Sequence, residues 1–224
     1  MKPSEAKPNQ QIRKRRVIVY IDGFNLYFAL REKQWFGFMW LDMLQLGTVL
    51  VREDQELVQV KYFTSRIRND PEKQKRQNLF LDALGTLDSK KLKIYYGDYQ
   101  TNELKCFGCG NLVRDDHEKQ TDVNIATQMI LDAFSKDSAG QPKVDDIILI
   151  TADSDQCPAI MAVRSLGKHV LVVLPPGRGH YLEIQKVADS KLELTAKKLK
   201  KCRMPDRIAS PSGFVIECIA KWKN

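Results

Sequence analysis

Apolar residues recur along this chain in two patterns. Short unbroken runs rich in β-branched residues, at Val17–Ile21, Leu57–Phe63, Leu92–Tyr96, Ile147–Thr151 and Val170–Leu174, read as five buried strands. Between them, apolar residues return every three or four positions over Phe24–Arg31, Leu41–Val51, Pro71–Leu84, Glu118–Phe134 and Gln156–Leu166, which predicts helices. Strands alternating with helices imply parallel strands joined by right-handed crossovers. The expected fold class is α/β: three layers, with a mainly parallel five-stranded sheet flanked by helices. On the helix over Glu118–Phe134, the stripe Val123, Ala126, Ile130 and Phe134 is expected to face the core, with Asp122 at its border.

The pattern fails in three places. Residues 1–16 are polar and basic and read as a flexible tail, residues 99–116 as an inserted loop, and residues 195–224 as a basic C-terminal extension packing on the domain. That leaves 17–194 as the domain proper, and 224 residues suit one such unit. No apolar run approaches a membrane span, and no apolar leader opens the chain, so a soluble, cytoplasmic protein is expected. Five cysteines, an odd number, fit a reducing compartment better than a disulfide framework.

The net charge of +8 invites a polyanionic partner, but its distribution matters more than its sum. The first sixteen residues carry six cations against Glu5 alone, a net of +5, and Lys197, Lys198, Lys200, Lys201 and Arg203 add another +5. The remaining residues therefore carry −2. A slightly acidic body between basic ends suits an acidic site served by phosphate-binding arms, and equally a solubilising surface.

Four carboxylates fall where such a site is expected. Asp22 follows the first strand, Asp153 and Asp155 follow the fourth in Thr151-Ala-Asp-Ser-Asp155, and Asp122 stands near the start of a long helix. Open α/β sheets place their sites beyond the carboxyl ends of their strands. Carboxylates brought together repel unless protons or a cation intervene, and Mg²⁺ or Mn²⁺, which prefer oxygen donors and keep waters, suit phosphate chemistry. Singly, each has a structural reading: Asp155 as a helix cap, Asp122 as a dipole partner, Asp22-Gly23 as a turn and Asn25 as a cap.

Taken together, Ile21-Asp-Gly-Phe-Asn25, Thr121-Asp-Val-Asn-Ile-Ala126 and Thr151-Ala-Asp-Ser-Asp155 resemble the NYN domain family, a branch of the PIN-like nucleases. The likeness spans about Val17 to Leu194 and extends to Tyr62-Phe-Thr64 and Pro175-Pro-Gly-Arg178. It departs from the commoner serine-glycine pair at Thr151-Ala152 and in the insertion. The resemblance implies a Rossmann-like sheet and Mg²⁺- or Mn²⁺-dependent hydrolysis of phosphodiester bonds, usually in RNA. It makes Asp22, Asp122 and Asp153 metal ligands, gives Asp155 an assisting role, and has Asn25 orient the site or touch the scissile phosphate. An endoribonuclease that leaves a 5′-phosphate and a 3′-hydroxyl is the expected activity.

Phosphate contacts could come from Arg66, Arg68, Lys73, Arg76 and Arg178, although a solvated face explains several of them. Cys106-x-x-Cys109 has the spacing of half a zinc site, and His117 could supply a third ligand. No second pair follows, so structural Zn²⁺ stands beside a Gly-flanked loop with free thiols. RNA is the expected partner, with DNA and a homodimer kept open. The alternatives are a non-catalytic RNA- or protein-binding module of the same fold, or a DNA nuclease. A dehydrogenase is disfavoured because Asp22-Gly-Phe-Asn-Leu-Tyr27 offers no Gly-x-Gly-x-x-Gly cradle.

Overall fold

The computed structural model describes residues 13–68, 70–105, 107–210 and 213–223, with the backbone alone at 99–104 and 113–118. Most of the expected tail, all of Cys106 and the side chain of His117 therefore lie outside the described residues.

Seven strands form one sheet: β1 (Arg15–Asp22), β2 (Gln55–Ser65), β3 (Leu92–Lys105), β4 (Leu112–Lys119), β5 (Asp146–Ile150), β6 (His169–Leu174) and β7 (Ser190–Glu193). Their order is β4-β3-β2-β1-β5-β6-β7. Six are parallel and β4 returns antiparallel along β3. The sheet thus has two strands more than the sequence pattern predicts. Residues 99–116 are not an irregular loop, because most of them form the far half of β3 and the first half of β4, from Asp98 opposite Lys119 to Lys105 opposite Leu112.

The chain builds outward from β1 in one direction through β2 and β3, then in the other through β5, β6 and β7. This reversal opens a crevice above the carboxyl ends of β1 and β5. β1 is buried on both faces, and its side chains alternate between two cores: Val17, Val19 and Ile21 enter one, Ile18 and Tyr20 the other. The first core is covered by α1 (Gly23–Glu32), α2 (Met43–Thr48) and α3 (Pro71–Leu84), the second by α4 (Thr121–Phe134), α5 (Cys157–Ser165) and α6 (Leu182–Val187).

Two details of α4 differ from the expectation. It starts at Thr121 rather than Glu118, and its inward face is Ile125, Met129, Asp132 and Ala133. Val123 and Phe134 are exposed, while Ala126 and Ile130 are half-buried and Ile130 packs on the second core, so only half of the apolar stripe read from the sequence faces inward. Asp132 joins it inside: its carboxylate accepts from Tyr20 Oη at 2.6 Å and pairs with Lys143 at 2.8 Å and Lys61 at 2.5 Å. That buried pair ties α4 to β1 and β2.

The described part of the basic N-terminal end is engaged. Arg13 pairs with Asp145, Arg15 with Asp146 and Arg16 with Asp137, and β1 already begins at Arg15. Beyond β7, α7 (Ala196–Lys200) and a small antiparallel pair, β8 (Arg207–Ala209) and β9 (Val215–Glu217), lead back over the first core. There Leu199, Cys202, Met204, Cys218 and Trp222 are buried, and Trp222 packs 6.1 Å from Trp40. Among the described residues no helix is long and apolar enough to cross a membrane.

Candidate active site

A pocket opens over the reversal point, lined among others by Asp22, Asn25, Asp122, Asp153 and Arg178. Three of the elements around it each contribute one carboxylate. β1 ends at Asp22 because the chain must turn into α1, and Asp22 caps that helix: its Oδ1 accepts from the Asn25 amide at 2.9 Å. Gly23 follows because any side chain there would stand 2.6 Å from the Phe63 carbonyl and the Tyr62 hydroxyl of β2. Asp153 caps the 3₁₀ turn Ser154–Gln156 through the Asp155 amide at 2.9 Å. Asp122 occupies the first turn of α4. The caps are thus Asp22 and Asp153, not Asn25 and Asp155 as the sequence suggests, and Asn25 and Asp155 supply the capped amides.

A small set of side chains locks these carboxylates together. The Thr151 hydroxyl donates to Asp22 Oδ2 at 3.0 Å and accepts from the Asp153 amide at 3.1 Å, bridging the ends of β1 and β5. Asn25 Oδ1 accepts from the Ala152 amide at 3.0 Å, pinning the same loop to α1. Gln156, fully buried, donates to the Asp122 backbone carbonyl at 3.2 Å and to its Oδ1 at 3.4 Å. Neither Thr151 nor Gln156 stands out in the sequence. A hydroxyl two residues before an acid and an amide at the end of a capped turn are common surface features, and only the fold shows their partners.

The electrostatics are those of carboxylates brought together away from solvent. Burial lifts the Asp22 carboxyl to about 6, helped by repulsion from Asp122 and Asp153 and opposed by its two hydrogen bonds. Asp122 is also raised, by loss of solvent and by repulsion from Asp153. Asp155 is exposed and does not line the pocket, although its charge is felt at Asp122. Among the described residues no three His, Cys, Asp or Glu side chains are grouped closely enough to ligate one ion.

The five expected phosphate-binding cations divide by location. Arg178 lines the acidic pocket, where it bonds Glu32 at 2.6 Å and Tyr181 Oη at 2.9 Å. Arg66 stacks over Tyr96 with 4.8 Å to the ring centre, and Arg68 reaches Asp98 at 3.8 Å. Lys73 and Arg76 lie on α3 and line a second, mostly apolar cavity on the other side of α1. Cys109 is exposed and a free thiol in the turn of the β3–β4 hairpin.

The family model of the NYN domain matches residues 16–194. The chain belongs to the NYN domain family. This NYN domain therefore has a nuclease-type fold of the PIN-like superfamily. It is similar to 6-hydroxy-3-succinoylpyridine 3-monooxygenase HspA of Pseudomonas putida (strain DSM 28022 / S16), with 26% identity over 231 residues, covering 85% of this chain and 70% of the relative. It also resembles a crystal structure of a protein of unknown function from Vibrio parahaemolyticus RIMD 2210633. There the TM-score is 0.53 and the identity 20%, over 84% of this chain and 97% of the other, a likeness of fold.

Proposed function

We propose that this NYN domain is a divalent-cation-dependent ribonuclease that hydrolyses phosphodiester bonds within RNA. One observation carries the reading: Asp22, Asp122 and Asp153 come from the ends of two adjacent strands and the start of one helix, yet they share a pocket, where Asp22 and Asp122 are both raised, chiefly by burial and further by the charge of Asp153. Such repulsion is costly to a fold unless a cation relieves it. The donors are all oxygen, which suits Mg²⁺ or Mn²⁺ better than zinc or copper. Mg²⁺ commonly takes only one or two carboxylates, with waters and substrate phosphate filling its shell, so a set that does not close on three protein ligands still suits it.

When bound, the cation supplies a nucleophilic water at neutral pH and charge neutralisation at phosphorus. The chain supplies the rest. Asp22, held from two sides by Asn25 and Thr151, is fixed before substrate arrives, which keeps reorganisation small. Asp153 and Asp122 line the same pocket. Asn25 acts as a positioning residue through the Ala152 amide. Arg178 exchanges Glu32, an exposed partner, for a substrate phosphate. The test is cleavage of end-labelled RNA with Mg²⁺, Mn²⁺ or EDTA. Cation-dependent products with a 5′-phosphate and a 3′-hydroxyl are expected, and binding without cleavage under every cation would leave a non-catalytic RNA-binding module instead.

A second reading rests on the relative's printed name and on the apolar cavity beside α1: a hydroxylated pyridine as substrate, with dioxygen and a two-electron donor. One oxygen atom would enter the ring and the other leave as water. Consumption of 6-hydroxy-3-succinoylpyridine in the presence of reduced nicotinamide and air tests it. No consumption removes it.

A further inference from the structure

The cavity on the far side of α1 is not used by the chemistry above. Its walls include Phe24, Tyr27, Phe38, Met39, Phe80 and Trp222, and Lys73 and Arg76 add the cationic groups among its lining residues. Its interior offers about 90 Å³, on the order of several waters' worth of room and the scale of one planar ring. Protein cores rarely leave apolar space of this kind unfilled, and a concave apolar pocket with a few polar groups is the usual form of a ligand site.

α1 is the partition between this cavity and the acidic pocket. Gly23, Tyr27 and Leu30 line one side, Asn25 and Phe28 the other, and Phe24 lines both. A helix with its side chains is about 10–12 Å across, so a ring in the cavity belongs to a nucleotide flanking the reacting phosphate. We propose that this aromatic cavity seats a nucleobase of the bound RNA strand, with Lys73 and Arg76 meeting the phosphate of the same nucleotide. The proposal rests on the nuclease reading above.

Three features favour this occupant. Aromatic walls stack on any base, and single-stranded RNA is commonly held by such stacking. The cations are close enough to a seated ring to take its phosphate. Lys73 is held by Asp70 at 2.8 Å and Arg76 by Glu72 at 4.0 Å, pairs exposed enough to exchange for a phosphate at little cost. Finally, Phe24 borders both the cavity and the acidic pocket, so the two lie side by side across α1, near enough for one strand to reach both.

The test is a titration of the full chain in EDTA with the four ribonucleoside 5′-monophosphates, inorganic phosphate and nicotinate, followed by saturation-transfer NMR. Arg76→Glu alters the rim and Met39→Trp fills the interior. At least one nucleotide should bind tenfold or more tightly than phosphate or nicotinate, and each variant should weaken it at least tenfold. Should Met39→Trp fail to fold, Arg76→Glu, at a half-buried rim position, decides alone. Equal binding of phosphate, tighter binding of nicotinate, or a nucleotide affinity unmoved by Arg76→Glu overturns the proposal. Because no cation is present, the result is independent of cleavage. Nucleotide binding in a protein that cuts no RNA keeps the cavity and removes the nuclease, and cleavage without nucleotide binding does the reverse.

Discussion

Asp22 concentrates the physical tension of this molecule in one side chain. It is 5% exposed, caps a helix and lies close to two further carboxylates. Its carboxyl rises from an ordinary 3.8 to about 6, so between those values the folded protein holds a proton that the unfolded chain has released. Without a cation, stability should therefore fall as pH rises from about 4 to about 6, by roughly 2–4 kcal/mol. Urea unfolding in EDTA across this range checks the sign, and Asp22→Asn, which keeps the cap, should flatten the slope. An unchanged slope in that variant would place the charge elsewhere. Asp132 is the opposite case. Burial alone would raise it, yet hydrogen bonds from Lys143, Lys61 and Tyr20 hold it below its usual range. Asp132→Ala strands the buried Lys61 ammonium and should cost about 3–5 kcal/mol in chemical denaturation, with no cation able to restore it.

At the scale of elements, the site depends on how closely β3 and α4 approach. A side chain at Gly97 would stand 2.5 Å from Thr121 Oγ1 and 2.7 Å from the Lys119 carbonyl, so only glycine lets the strand pass beneath the start of α4. Gly97→Ala should push that helix start, and Asp122 with it, out of place. The expected loss is about 1–3 kcal/mol of stability and on the order of 10²-fold in cleavage rate, checked by melting and single-turnover assays. Unchanged turnover would show that Asp122 need not be held there. What the sequence pattern conveys follows from burial. β1, β5 and β6 are buried on both faces or nearly so, and their unbroken Val, Ile and Leu runs announce them. The far half of β3 and all of β4 form an edge hairpin of polar residues such as Thr101-Asn-Glu103, where backbone pairing needs no apolar signature. β7 has four residues, too few for periodicity. The stripe on α4 misleads at Val123 and Phe134, which are exposed, while Asp132, a charged residue, takes an inward place through three partners. The carboxylates Asp22, Asp122 and Asp153 are legible because strand ends and helix starts are legible. Thr151 and Gln156 are not, since their roles exist only as contacts across the chain.

For the whole molecule, the NYN match ends at Leu194 but the first core does not. Trp40 donates to the Pro205 carbonyl at 2.8 Å, the Met204 amide returns a bond to the Trp40 carbonyl, and Trp222 closes the aromatic cavity. Trp222→Ala should cost about 3–5 kcal/mol, and a chain cut after Leu194 should show a broadened or absent thermal transition. A sharp transition at the full-length temperature would make the last thirty residues an appendage. The same view sets part of the basic N-terminal end in proportion, because Arg13, Arg15 and Arg16 have acidic partners within the fold and line neither the acidic pocket nor the aromatic cavity. Arg178, Lys73 and Arg76 are paired too, but they line those two pockets and are better placed for substrate.

The central claim is that the carboxylates at the reversal point work as one cation site on RNA. Single-turnover cleavage of end-labelled single-stranded RNA in Mn²⁺, with wild type and Asp153→Asn side by side, tests it most directly. Losing one ligand should remove several kcal/mol of transition-state stabilisation, a fall of about 10²-fold or more, with an unchanged melting temperature. Equal rates in the two proteins would contradict the account.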